Sequence, residues 1–99
     1  MDNNNTQKQI QLELKPEIAR GTYSNLAIIT HSHSEFIIDF ATMLPGQPKP
    51  EVSNPIIMTP EHTKRLLNAL MDNITKYESQ FGFIDLGMPL PDFSNGPKS

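Results

Sequence analysis

At 99 residues, with 36% hydrophobic and 19% charged side chains, the chain is long enough for one core and too short for a separate cofactor domain. It contains no cysteine, which excludes disulfide staples, thiolate zinc sites and a cysteine nucleophile, and leaves packing or a partner chain to support the small core. Eight basic against 11 acidic residues, with a pI of about 5.5, provide no footprint for nucleic acid, and no run approaches the ~18 apolar residues of a membrane span.

Read from the start, Met-Asp-Asn-Asn-Asn has neither a basic opening nor an apolar stretch, which predicts a cytoplasmic protein with residues 1–8 as a disordered tail. Ile10, Leu12 and Leu14 then alternate with Gln11, Glu13 and Lys15, a period of two that predicts a first strand ending at Pro16. Pro16 to Gly21 carries turn residues at both ends and reads as a connection. A second strand is predicted over Tyr23 to Thr30, and a third over Glu35 to Met43 with Phe36, Ile38 and Phe40 on its core face. The short polar His31-Ser32-His33-Ser34 between them predicts an antiparallel hairpin, whose register is not readable.

Three prolines between Pro45 and Pro50 mark the main loop. Glu51 to Met58 reads as a fourth strand, and Pro55 in its middle makes it an edge strand or a bulged one. Thr59-Pro60-Glu61 supplies a capping hydroxyl, a proline at the first helical position and an acid facing the positive end of the helix dipole. From there Thr63, Leu67, Leu70, Ile74, Tyr77 and Phe81 recur at spacings of four and three, with Leu66 and Met71 widening the stripe and Gly82 as the C-terminal cap. Glu61 with Arg65 and Asp72 with Lys76 are i,i+4 pairs on its polar side. The expected architecture is α+β: a four-stranded antiparallel β-meander packed by one long C-terminal helix over residues 9–84. A flexible Pro/Gly-rich tail follows over 85–99, with Leu86, Met88, Leu90 and Phe93 as apolar residues able to dock on another chain.

The run Ile57-Met58-Thr59-Pro60-Glu61-His62-Thr63-Lys64-Arg65-Leu66-Leu67, followed by Leu70, Asn73, Tyr77-Glu78 and Phe81-Gly82-Phe83-Ile84, resembles a family of short prokaryotic proteins known as domain of unknown function 3467. Tyr23-Ser24-Asn25 and Glu35-Phe36-Ile37-Ile38-Asp39-Phe40 are similar to it as well. The resemblance implies a fold and no activity, so no functional residue carries over. In topology, four consecutive antiparallel strands followed by a long helix resemble the bacterial export chaperone SecB, a fold-level analogy that implies a tetramer binding unfolded chains.

The chemistry-bearing residues form no specific motif. His31 and His33, with Glu35 or His62, have the donor types of a zinc site, but His-Ser-His-Ser has the composition of a polar turn and such a site needs three or four converging ligands. Ser32, Ser34, His33 and Asp39 contain the residue types of a hydrolase triad without a strand–elbow–helix context. Glu35 and Asp39, four apart on a strand, would lie about 13 Å from each other, too far for direct coupling. No glycine pattern cradles phosphate, and Lys64-Arg65 is an isolated basic pair on a helix. The reading names no catalytic residue, no metal ligand and no cofactor.

The faces say more. If Leu26, Ile28, Phe36, Ile38 and Phe40 meet the helix, then Ala27, Ile29, Ile37, Ala41 and Ile57 make an apolar patch on the opposite face, joined by Leu66 and Met71 on the helix as candidate interface residues. A homodimer or tetramer would bury these surfaces. The functional expectation is a non-enzymatic oligomeric protein-interaction module that also takes a protein or peptide partner. The alternatives are a SecB-like holdase and, behind it, a small metal-dependent enzyme using His31 and His33.

Overall fold

The computed structural model of the chain describes residues 10–87. Among them the fold is α+β: a helical turn α1 (Pro16–Ala19), three strands β1 (Leu26–His31), β2 (Phe36–Thr42) and β3 (Glu51–Met58), and the long helix α2 (Pro60–Phe81). The strands form one antiparallel sheet in the order β1-β2-β3. The predicted tail at 1–8 lies outside the described residues, as do residues 88–99 of the tail predicted over 85–99, and at 85–87 the chain makes one local turn, Gly87 N–H donating to Asp85 Oδ1 at 3.0 Å.

Three of the predicted strands form, because each is a β-branched or aromatic run bounded by turn residues. The hairpin between β1 and β2 closes where Ser32 N–H donates to the Glu35 carbonyl at 2.9 Å and Ser34 N–H to Ser32 Oγ at 3.3 Å. Its open end is clamped by Ser24 and Asn25. Ser24 Oγ donates to the Ala41 carbonyl at 2.9 Å, and the Asn25 amide exchanges hydrogen bonds with the backbone of Met43, donating at 3.0 Å and accepting at 2.9 Å. The proline in β3 has the consequence expected of it. β3 is an edge strand of the described sheet, and the register slips between Phe40 and Ala41, which pair with Asn54 and Val52. Ser53 is left over as the bulge, its Oγ donating to the Phe40 carbonyl at 3.2 Å.

The expected first strand does not form. Residues 10–15 make no ladder, and Ile10, Leu12 and Leu14 stand 77%, 85% and 64% exposed. Alternation decides which face of a strand would be buried; a strand exists only when an edge accepts it, and no such pairing is present here. The connection after it contains the helical turn α1 in place of plain loop. With three strands instead of four, the strand order behind the likeness to the export chaperone is absent from the described residues.

The helix begins and ends where its caps predict. Thr59 Oγ1 accepts from His62 N–H at 3.2 Å, Pro60 occupies the first position, and Gly82, at φ +103, closes the helix with its N–H on the Glu78 carbonyl at 2.9 Å. Its placement differs from expectation, because α2 does not pack across the sheet. Its main approach is to β3, the strand it directly follows, and none of its residues is buried. The cause is the junction: a single extended residue, Thr59, separates Met58 from Pro60. Strand-to-helix connections usually have two to six residues, and one leaves no slack to swing a helix of about 33 Å back over the sheet.

Candidate interaction surface

The core of the described chain is confined to the central strand, where Ile38 is 5% exposed and Ala41 fully buried. Cross-strand register assigns the two faces. Ala27, Ile29 and His31 stand opposite Phe40, Ile38 and Phe36, which in turn face Asn54, Ile56 and Met58. The other face carries Leu26, Ile28 and Thr30 against Ala41, Asp39 and Ile37, with Val52, Pro55 and Ile57 on β3. Neither face is sealed: Ile29 and Ile56 remain exposed on the first, Val52 and Ile57 on the second.

This register divides the predicted patch. Ala27 and Ile29 share the face of Phe36, Ile38 and Phe40, while Ile37, Ala41 and Ile57 lie on the opposite one with Leu26 and Ile28. A one-residue slip exchanges faces, so the pairing of strand faces follows from the hairpin closure and the Asn25 clamp, which hydrophobic alternation does not encode. Ala41 is moreover packed away beneath Ser24 and Asn25, whose Oγ and N–H both reach its carbonyl, and it presents no surface. Ile57 is 63% exposed.

On α2 the apolar stripe is in the open. Leu67, Leu70, Met71, Ile74, Tyr77 and Phe81 are each between 44% and 66% exposed, and only Thr63, Leu66 and Glu78 are half-buried. Of the interface candidates on the helix, Met71 thus lies free on the stripe and Leu66 partly against the chain. The Tyr77 and Phe81 rings lean on each other at 5.0 Å. Beyond Gly82 the chain folds back, with Ile84 N–H donating to Glu78 Oε2 at 2.9 Å, so that Ile84 joins Ile74, Tyr77 and Phe81 around a shallow open groove. The polar side carries the Asp72–Lys76 pair at 3.3 Å, while Glu61 and Arg65 are not within ion-pair distance.

Of the chemistry-bearing side chains, His31 and Ser32 are engaged locally. His31 stacks on Phe36 with ring centroids 5.3 Å apart, Ser32 caps the hairpin turn, and Glu35 precedes β2 instead of sharing a strand face with Asp39. Among the described residues no three His, Asp or Glu side chains converge as metal ligands would. Also among them, no helix is long and apolar enough to cross a membrane. Sequence reasoning missed Ser24 and Asn25 as the residues that fix register; the signal available was a Ser-Asn pair just before a strand start, typical of side-chain-to-backbone capping.

No curated protein and no solved structure matches the chain. The model of the family described as Protein of unknown function (DUF3467) matches residues 1–86, and the chain, with its three-stranded sheet and capped C-terminal helix, belongs to that family.

Proposed function

We propose that this chain is a non-enzymatic module whose work is to bind protein, in the first place further copies of itself. The observation that carries the reading is the mismatch between apolar surface and core. A stripe of six large apolar residues on α2 is exposed and both faces of the sheet are partly exposed, while among the described residues only the apolar side chains of Ile38 and Ala41 are buried. Contiguous apolar surface of this extent marks interaction sites, and homo-oligomers cover such surface symmetrically. The dispersal of His31, His33, Glu35 and Asp39 over a ring stack, a turn and a strand supports leaving catalysis out of the reading.

Multi-angle light scattering across a concentration series tests it: the intact chain should elute at a multiple of its 11.1 kDa mass, a dimer or tetramer. A folded monomer at every concentration contradicts self-association. If that monomer also suppresses aggregation of an unfolded test protein at near-stoichiometric amounts, the exposed surface serves as a holdase instead.

A further inference from the structure

The charges and volumes along α2 determine which way two copies can meet. In heptad terms Thr63, Leu67, Leu70, Ile74, Tyr77 and Phe81 form the seam, Lys64, Met71 and Glu78 flank it on one side, and Leu66, Asn73 and Gln80 on the other. The Asp72–Lys76 pair lies on the outer face, satisfied within its own chain. Lys64 and Glu78, which border the seam, have no ion-pair partner among the described residues. They are also 14 residues apart, about 21 Å along the axis, so they cannot reach each other within one helix.

We infer that α2 packs antiparallel against α2 of a second copy of this chain, centred on Leu70 and Ile74, with Lys64 beside the partner's Glu78 on both sides of the two-fold axis. This rests on the self-association reading above and specifies its interface. In this alignment Leu70 meets the partner's Ile74, Leu67 the partner's Tyr77, and Thr63 the partner's Phe81. The outer layers thus set a large ring against a smaller side chain, and the central layer sets two aliphatic side chains of equal size against each other, as interdigitated packing requires. The flanking row gives Lys64 against the partner's Glu78 twice, with Met71 at the centre. Glu78 retains one carboxylate oxygen for this, since Ile84 N–H takes the other. A parallel pair offers neither advantage. It sets Phe81 against the partner's Phe81 and Thr63 against the partner's Thr63, aligns the two helix dipoles, and brings no opposite charges together across the seam.

The test is charge reversal followed by mixing. Lys64→Glu makes both flanking contacts acid against acid, and Glu78→Lys makes both base against base, so each variant alone should self-associate about tenfold more weakly, most clearly at low salt. Mixed with each other, an all-acidic flank meets an all-basic one twice. Native mass spectrometry, with one variant isotopically heavy, should then find the mixed species above its statistical share and its affinity back near that of the unchanged chain. Unaltered self-association of both variants with statistical mixing overturns the antiparallel helix pairing while leaving an oligomer built through the sheet. A monomeric unchanged chain overturns the pairing and the self-association reading together. Where either variant alone is poorly folded by circular dichroism, recovery of helix on mixing supports the pairing and persistent loss contradicts it.

Discussion

The central strand and the long helix invert the usual relation between a clear sequence signal and a buried element. β2 holds Ile38 and Ala41, the two buried apolar residues of the described chain, although its period-two pattern is mixed with Ile37 and Asp39 on the second face. α2 has the cleaner pattern, capped at both ends with an uninterrupted apolar stripe, yet none of its residues is buried. Caps and periodicity are local and decide that a helix exists and which face is apolar; what covers that face depends on the rest of the fold or on another chain. The difference teaches that β2 supports the folded state of one chain, whereas the apolar face of α2 adds nothing to that core and is the surface the proposed assembly would cover.

Four substitutions probe that contrast. Ile38→Ala removes a side chain already buried within the single chain and should destabilise it by about 2–5 kcal/mol, independent of protein concentration in denaturant melts. Because domains of this size have only ~5–15 kcal/mol in total, partial unfolding at room temperature is within the expected range. Leu70→Ala acts on the other region. In an isolated chain this half-exposed residue would cost little, so a loss of about 2 kcal/mol in apparent stability, accompanied by weaker dependence of Tm on concentration, is the signature of an assembly that buries it. A concentration-independent melt with no change would place α2 outside any interface.

Asn25→Ala tests what holds β1 and β2 in register. Losing its two side-chain hydrogen bonds to Met43 should cost about 1–2 kcal/mol, with exchange of the β1 and β2 amides accelerating first. Thr59→Ala is the mildest. It removes the Oγ1 acceptor for His62 N–H and should cost about 1 kcal/mol, read as fraying of the first turn of α2. Equal effects of the Asn25 and Ile38 changes on α2 exchange would erase the division between the two regions.

Most of the elements were legible in the sequence, and their relations were not. Thr59, Pro60 and Gly82 announce the helix because capping chemistry is contained within a few residues. Pro55 announces an irregular edge strand for the same reason, since a missing N–H is a local fact wherever the strand lies. The strand expected at Ile10–Leu14 fails because alternation carries no information about an accepting edge. Ile29 and Ile37 were expected to share a face and do not, because register is set by the closure at Ser32 and Glu35 and by Asn25, not by the hydrophobic pattern on either strand. The position of α2 is the work of one junction residue, a geometric constraint that no count of apolar positions expresses.

Amide hydrogen exchange followed along α2 at rising protein concentration tests the central claim most directly. If the apolar face of α2 is covered by another copy, amides from Leu67 to Tyr77 gain protection with concentration until they exchange as slowly as those of Ile38 and Ala41. If α2 exchanges rapidly at every concentration while β2 stays protected, its apolar face is not an assembly surface and the account is contradicted.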